Sequence, residues 1–146
     1  AIPRVSWRCQ VRDWQRDDKN AMLSAQGRGI RSSVVASILD RYGHGDAELW
    51  VVCQPHSVDS PIVQDFVRRG AKVFSGSDEY AAFCFLQSAQ VLVVSTGSTF
   101  SQMAAILAPA AEVHYPLTAV PPRITVLIDS WHYHLANASR DGIQEF

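Results

Sequence analysis

Gln90-Val91-Leu92-Val93-Val94, running into Ser95-Thr96-Gly97-Ser98 and then Thr99-Phe100-Ser101, decides the fold. The first five residues form a continuous β-branched apolar run, the pattern of a strand with helices on both faces. Ser95–Ser98 is a sharp turn. From Thr99 to Leu107 the spacing of Phe100, Met103, Ala104 and Leu107 predicts a helix facing a core, ended by Pro109. Strand, tight turn and helix in immediate succession make half of a βαβ unit.

The units repeat outward from this segment. Upstream, Glu48–Cys53 is a short apolar run ended by Gln54-Pro55. Ser60-Pro61 then opens a helix, with serine as N-cap and proline in the first turn. Ile62, Val63, Phe66 and Val67 give that helix an apolar face, and Gly70 stops it. Ala71–Phe74 is the next strand, Ser75–Asp78 a turn with capping residues, and Glu79–Ser88 a helix. Downstream, Glu112–Tyr115 is a short strand before Pro116, and Ile124–Ile128 a last extended run after the break at Pro121-Pro122. Val5, Trp7, Cys9 and Val11 alternate, so Ile2–Val11 holds a strand. Asp13–Gly29 is polar loop, and Ile30–Tyr42 has helical spacing closed by Gly43. The tail after Asn137 is polar and expected to fray. Strands alternating with helices of this length imply right-handed crossovers and a mostly parallel sheet. The expected class is α/β: a three-layer Rossmann-like domain.

The 146 residues have the size of one domain, long enough to bury roughly 70% of the unfolded surface without a staple. An apolar fraction of 47%, a charged fraction of 18% and a net charge of -1 describe an ordinary globule and give no reason to expect nucleic acid or an anionic membrane as partner. No apolar run approaches the ~20 residues that span a bilayer. No signal peptide is evident, and a start at Ala1 rather than methionine is expected of a piece of something longer. These features leave the compartment open. Asn137-Ala138-Ser139 fits the glycosylation sequon, a triplet common by chance. Cys9, Cys53 and Cys84 have no metal-type spacing and are expected as three buried thiols. No cofactor is implied.

In an open parallel sheet, ligands bind outside the carboxyl ends of the strands. Those ends are Val11–Asp13, Gln54–His56, Ser75–Asp78, Ser95–Ser98 and Tyr115–Leu117. The fourth is the richest. A helix N-terminus presents backbone N–H groups and partial positive charge to an anion. Gly97 permits close approach, and Ser95, Thr96, Ser98, Thr99 and Ser101 add hydroxyls. A capped helix needs only one such residue, so the cluster points to phosphate. The turn lacks the Gly-Lys-Ser/Thr element of a P-loop and the three glycines of a dinucleotide fingerprint. Arg4, Arg8, Arg12, Arg16, Lys19, Arg28, Arg31 and Arg41 outnumber Asp13, Asp17, Asp18 and Asp40 in the first 42 residues, which reads as a solvated face or an anion site. His56 and Asp78 lie in strand-end loops where a ligand would reach them. His114 reads as a structural strand residue, and His132 with His134 as too few ligands for zinc.

Phe85-Leu86-Gln87-Ser88-Ala89-Gln90-Val91-Leu92-Val93-Val94-Ser95, then Ser98-Thr99-Phe100-Ser101 and Ala104-Ala105-Ile106-Leu107, resembles the C-terminal motif of fucosyltransferase-like glycosyltransferases. Glu112-Val113-His114-Tyr115-Pro116 resembles their following strand, and Asp129–His134 their terminal stretch. The likeness covers about Glu48–His134. It implies a single nucleotide-sugar-binding domain over residues 1–146, the donor half of a two-domain GT-B enzyme, with a GDP-sugar such as GDP-fucose as donor and a glycan or other hydroxyl as acceptor. The turn at Ser95, Gly97, Ser98, Thr99, Phe100 and Ser101 would hold the diphosphate, beside His56 and Asp78. Trp7–Asp13 loosely resembles the family's arginine motif, with Arg8 as the expected catalytic arginine and Arg12 as runner-up. The family's tryptophan pair is Gln102-Met103 here, and its acidic position aligns with Ala82. Two other readings stay open: an inactive Rossmann-like nucleotide or phosphate-binding module, and a small hydrolase or phosphotransferase, which the lack of an acidic cluster at the strand ends disfavours.

Overall fold

The computed structural model describes residues 4–12, 30–43, 47–76, 78–95, 99–118, 128–136 and 143–145. Its strands are β1 (Val5–Gln10), β2 (Ala47–Val52), β3 (Lys72–Phe74), β4 (Val91–Val93), β5 (Glu112–Thr118), β6 (His132–Ala136) and β7 (Ile143–Glu145). Between them run α1 (Ser32–Tyr42), α2 (Pro61–Arg68), α3 (Glu79–Gln87) and α4 (Thr99–Ile106). All seven strands join one sheet in the order β3-β2-β1-β4-β5-β6-β7. The first six in that order are parallel, and β7 closes the edge antiparallel to β6. This is the expected Rossmann-like α/β fold.

The chain winds from β1 outward to β3, then crosses back past β1 to place β4 on its other side. The crossovers therefore cover opposite faces. One core packs Val34, Val35 and Ile38 of α1 and Val63 and Phe66 of α2 against Trp7, Cys9, Val51, Val91 and Val93. The other packs Ala82 and Leu86 of α3 and Ala104 and Ala105 of α4 against Val52, Leu92, Val94, Val113 and Tyr115. β4 supplies Val91 and Val93 to one core and Leu92 to the other, which is why its sequence is apolar without alternation. Burial pushes the Cys9 thiol up to about 12, so it packs as a hydrophobe.

Local signals set the ends of the helices. Ser60 caps α2 by accepting from Ile62 N–H at 3.3 Å, ahead of Pro61. Past α2, Gly70 takes φ +94°, a conformation costly for any residue with a Cβ. Asp78 caps α3, accepting from Tyr80 N–H at 2.9 Å and Ala81 N–H at 3.3 Å.

Three expectations change. β5 does not stop before Pro116 but runs through it to Thr118. β4 pairs with β5 only as far as His114, so Pro116 faces β6 alone and its missing N–H interrupts no central ladder. Part of the tail expected to fray is β7, held by β6. Cys84 is half-buried, unlike Cys9 and Cys53. The loop expected at Asp13–Gly29, residues 124–127 of the last extended run and the Asn137 sequon lie outside the described residues.

Candidate functional site

The direction of winding reverses between β1 and β4, which are neighbours although distant in the chain. At such a reversal the two adjoining crossovers leave on opposite faces, and the carboxyl ends of the strands border an open crevice. Here that crevice has a volume of about 280 Å³, near the lower end for small-molecule sites. Its wall combines Gln10 at the end of β1 and Arg12 just past it, Gln54 and Pro55 after β2, Glu79 at the start of α3 and Phe100 in the first turn of α4. Among the described residues of that wall, Arg12 brings a cation and Glu79 a carboxylate.

The strand ends are stitched together beneath it. Val11 N–H donates to Val52 C=O at 2.8 Å, Cys53 N–H to Phe74 C=O at 3.1 Å, and Val94 N–H to His114 C=O at 2.9 Å. Across the reversal itself, Ser95 Oγ donates to Gln10 C=O at 2.6 Å. Ser95 N–H donates to Ser101 Oγ at 3.1 Å, tying the end of β4 to the first turn of α4. Both serines are buried. Their hydroxyls tie the end of β4 to β1 and to the first turn of α4, so they frame the junction. Phe100 meets Phe83 of α3 edge-on, with 5.4 Å between ring centroids, and fixes the gap between the two helices.

The sequence-selected residues separate into three groups. Ser95, Phe100 and Ser101 lie together at the β4–α4 junction. Thr99 opens α4, but its side chain, like Thr96, Gly97 and Ser98, is outside what the structure describes. His56 is exposed in a short 3-10 turn, Pro55–Ser57, next to the crevice-lining Pro55. Asp78 is exposed and engaged as the cap of α3, with Gly76 and Glu79 on either side of it lining the cleft.

Arg8 is the clear departure. It sits within β1, and its Nη1 donates to Phe85 C=O and to Ser88 Oγ, the latter at 2.8 Å. Its Nε donates to Ser6 Oγ at 3.0 Å, and its guanidinium stacks 3.8 Å from the centre of the Phe85 ring. Phe85 and Ser88 belong to the last turn and cap of α3, where carbonyls point outward and the helix dipole favours a cation. Burial lowers the Arg8 pKa from its ordinary value. Arg8 is absent from the crevice wall, whereas Arg12, four residues on, forms part of it and is half-buried there.

Gln10 and Gln54 also border the cleft without having been singled out, together with Glu79, which stands near the family's acidic position but shifted from it. Their signal was position: each stands at or beside a strand's carboxyl end, while their types are ordinary for a surface. Among the described residues, no group of three or more His, Cys, Asp or Glu could hold a metal ion, and no helix is long and apolar enough to cross a membrane. Compared with known proteins, the chain matches no protein-family model, no curated protein and no solved structure.

Proposed function

We propose that this domain binds a GDP-sugar, such as GDP-fucose, in the β1–β4 crevice, as the donor-holding part of a glycosyltransferase. The observation that carries the reading is the placement of Arg12 and the start of α4 on one cleft where the sheet reverses its winding. A diphosphate lying against the β4–α4 turn would meet backbone N–H groups and the positive end of the helix. Arg12 adds a planar fork able to chelate phosphate oxygens. Glu79 would repel phosphate, so the anion belongs on the Arg12 side and a base or sugar hydroxyl on the Glu79 side. The sequence likeness over Glu48–His134 supports a sugar nucleotide over other phosphorylated ligands.

In transfer, an acceptor oxygen forms a bond to the sugar's anomeric carbon while the bond from that carbon to the diphosphate breaks. The acceptor's proton passes to solvent water, and the electron pair of the broken bond leaves with the diphosphate. Arg12 would stabilise the charge arriving there.

A second reading is binding without transfer. It is favoured by Arg8, whose guanidinium is committed to the end of α3 rather than to the cleft. A thermal-shift series with GDP, UDP, CMP and inorganic phosphate tests the shared premise. GDP at 100 times its dissociation constant should add ~2.7 kcal/mol of stability. Arg12→Ala should remove that gain. If no nucleotide moves the midpoint, both readings fail. Release of fucose from GDP-fucose, or its transfer to an acceptor, distinguishes the enzyme from the binding module.

A further inference from the structure

Away from the crevice, the α1 face of the C-terminal strands buries a chain of imidazoles. His114 on β5 and His134 on β6 are both 0% exposed, and His114 Nδ1 lies 2.9 Å from His134 Nε2. His114 Nε2 stands 3.3 Å from one oxygen of Glu112, whose other oxygen is 3.9 Å from Nε2 of the half-exposed His132. Trp7 stacks on His114 with 5.2 Å between ring centroids. Tyr42, at the end of α1, touches His114, His132 and His134 at centroid distances of 4.6, 5.3 and 5.4 Å. Among the described residues, the titratable groups that face the pair include Glu112 from β5, His132 from β6 and Tyr42 from α1, and the backbone of Glu145 on β7 pairs in register with His134. β1 and β4 contribute Trp7 and, in register with His114, Val93.

We propose that the His114–His134 pair is an acid-sensitive latch that holds β6, and with it β7, on the sheet and releases them when the pair takes up a second proton. Two imidazole nitrogens at hydrogen-bond distance need one donor and one acceptor. Whichever of His114 Nδ1 and His134 Nε2 carries the hydrogen, the neutral pair meets that need with one bond, and the Glu112 carboxylate lies 3.3 Å from His114 Nε2. One added proton preserves the bond, because an imidazolium can donate to a neutral imidazole, and the Glu112 carboxylate balances the charge. A second proton sets two N–H groups against each other and puts two like charges side by side in the core. The folded pair thus accepts one proton where the unfolded chain, with histidines near pKa ~6.5, accepts two. Stability follows the state that binds fewer protons: the contribution is whole above about pH 6.5 and lost as pH falls.

Urea unfolding of the whole chain at pH 7, 6 and 5 tests this. A difference of one proton lowers the folding equilibrium constant about tenfold per pH unit between 6 and 5. Glu112→Gln, at a partly exposed site, removes the balancing charge, so the folded pair resists even the first proton. The slope should then steepen toward a hundredfold per unit. His134→Gln should flatten it, and His132→Gln should leave it as in the wild type. Hydrogen exchange at pH 5 should show the Tyr133 and Leu135 amides losing protection before those of Cys9 and Val93. A constant that does not change between pH 6 and 5, an unaltered slope in Glu112→Gln, or exchange that rises uniformly over the sheet would each overturn the latch. If His134→Gln does not fold, Glu112→Gln and exchange in the wild type decide the matter.

Discussion

Two arginines on one strand, four residues apart, meet opposite surroundings. Arg8 lies toward the closed end of the sheet, where α3 finishes, and spends its donors on Phe85 C=O, Ser88 Oγ and Ser6 Oγ while its plane covers the Phe85 ring. Arg12 lies past the other end of β1, where α3 and α4 begin, and forms a wall of the crevice. In a parallel sheet all helix C-termini gather at one edge and all N-termini at the other. Cations at the first edge neutralise outward-pointing carbonyls, and cations at the second stand beside amide groups that themselves attract anions. The same residue type is therefore a cap at one end and a candidate ligand contact at the other.

The sharpest way to break this contrast is to remove each arginine in turn. Arg12→Ala should abolish the ~2.7 kcal/mol stabilisation by GDP. Arg8→Ala should do the reverse. It strips a charged donor from a helix end and costs about 2–3 kcal/mol in denaturant unfolding, with the GDP-induced shift retained. If Arg8→Ala removes the nucleotide effect and leaves stability intact, the assignment of the two ends is inverted.

Smaller changes sharpen the picture of the crevice end. Ser101→Ala leaves the buried Ser95 N–H without its acceptor and should cost about 1–2 kcal/mol in urea unfolding. It should also weaken GDP binding, because the β4–α4 turn loses its brace. Asp78→Ala removes the cap of α3 and should cost about 1 kcal/mol, with nucleotide affinity unchanged. A large loss of affinity in Asp78→Ala would mean that its carboxylate serves the ligand as well as the helix.

Much of the frame was legible before any coordinates. The uninterrupted apolar run at Val91–Val94 required cover on both faces, and Ser60-Pro61, Gly70 and Asp78 marked helix ends through local chemistry. β6 was not legible. His132 and His134 put imidazoles on the face that β-patterns reserve for aliphatic residues, so the strand's alternation did not register as buried. β7 is short and polar, and it exists only because β6 offers it an edge. For the same reason the His114–His134 contact could not be read: it joins residues from separate strands through a register that neither segment encodes.

The sequence by itself determined the α/β class, the helix caps and the serine-rich junction after β4, because these depend on contacts within a few residues. It also placed Arg8 within β1 and Arg12 just past its carboxyl end. Only the tertiary structure decided which of the two faces the crevice, since that depends on where α3 ends and where the winding reverses. Those are long-range choices, made by packing both faces of the sheet at once, and a side chain's role there is set by its neighbours in space.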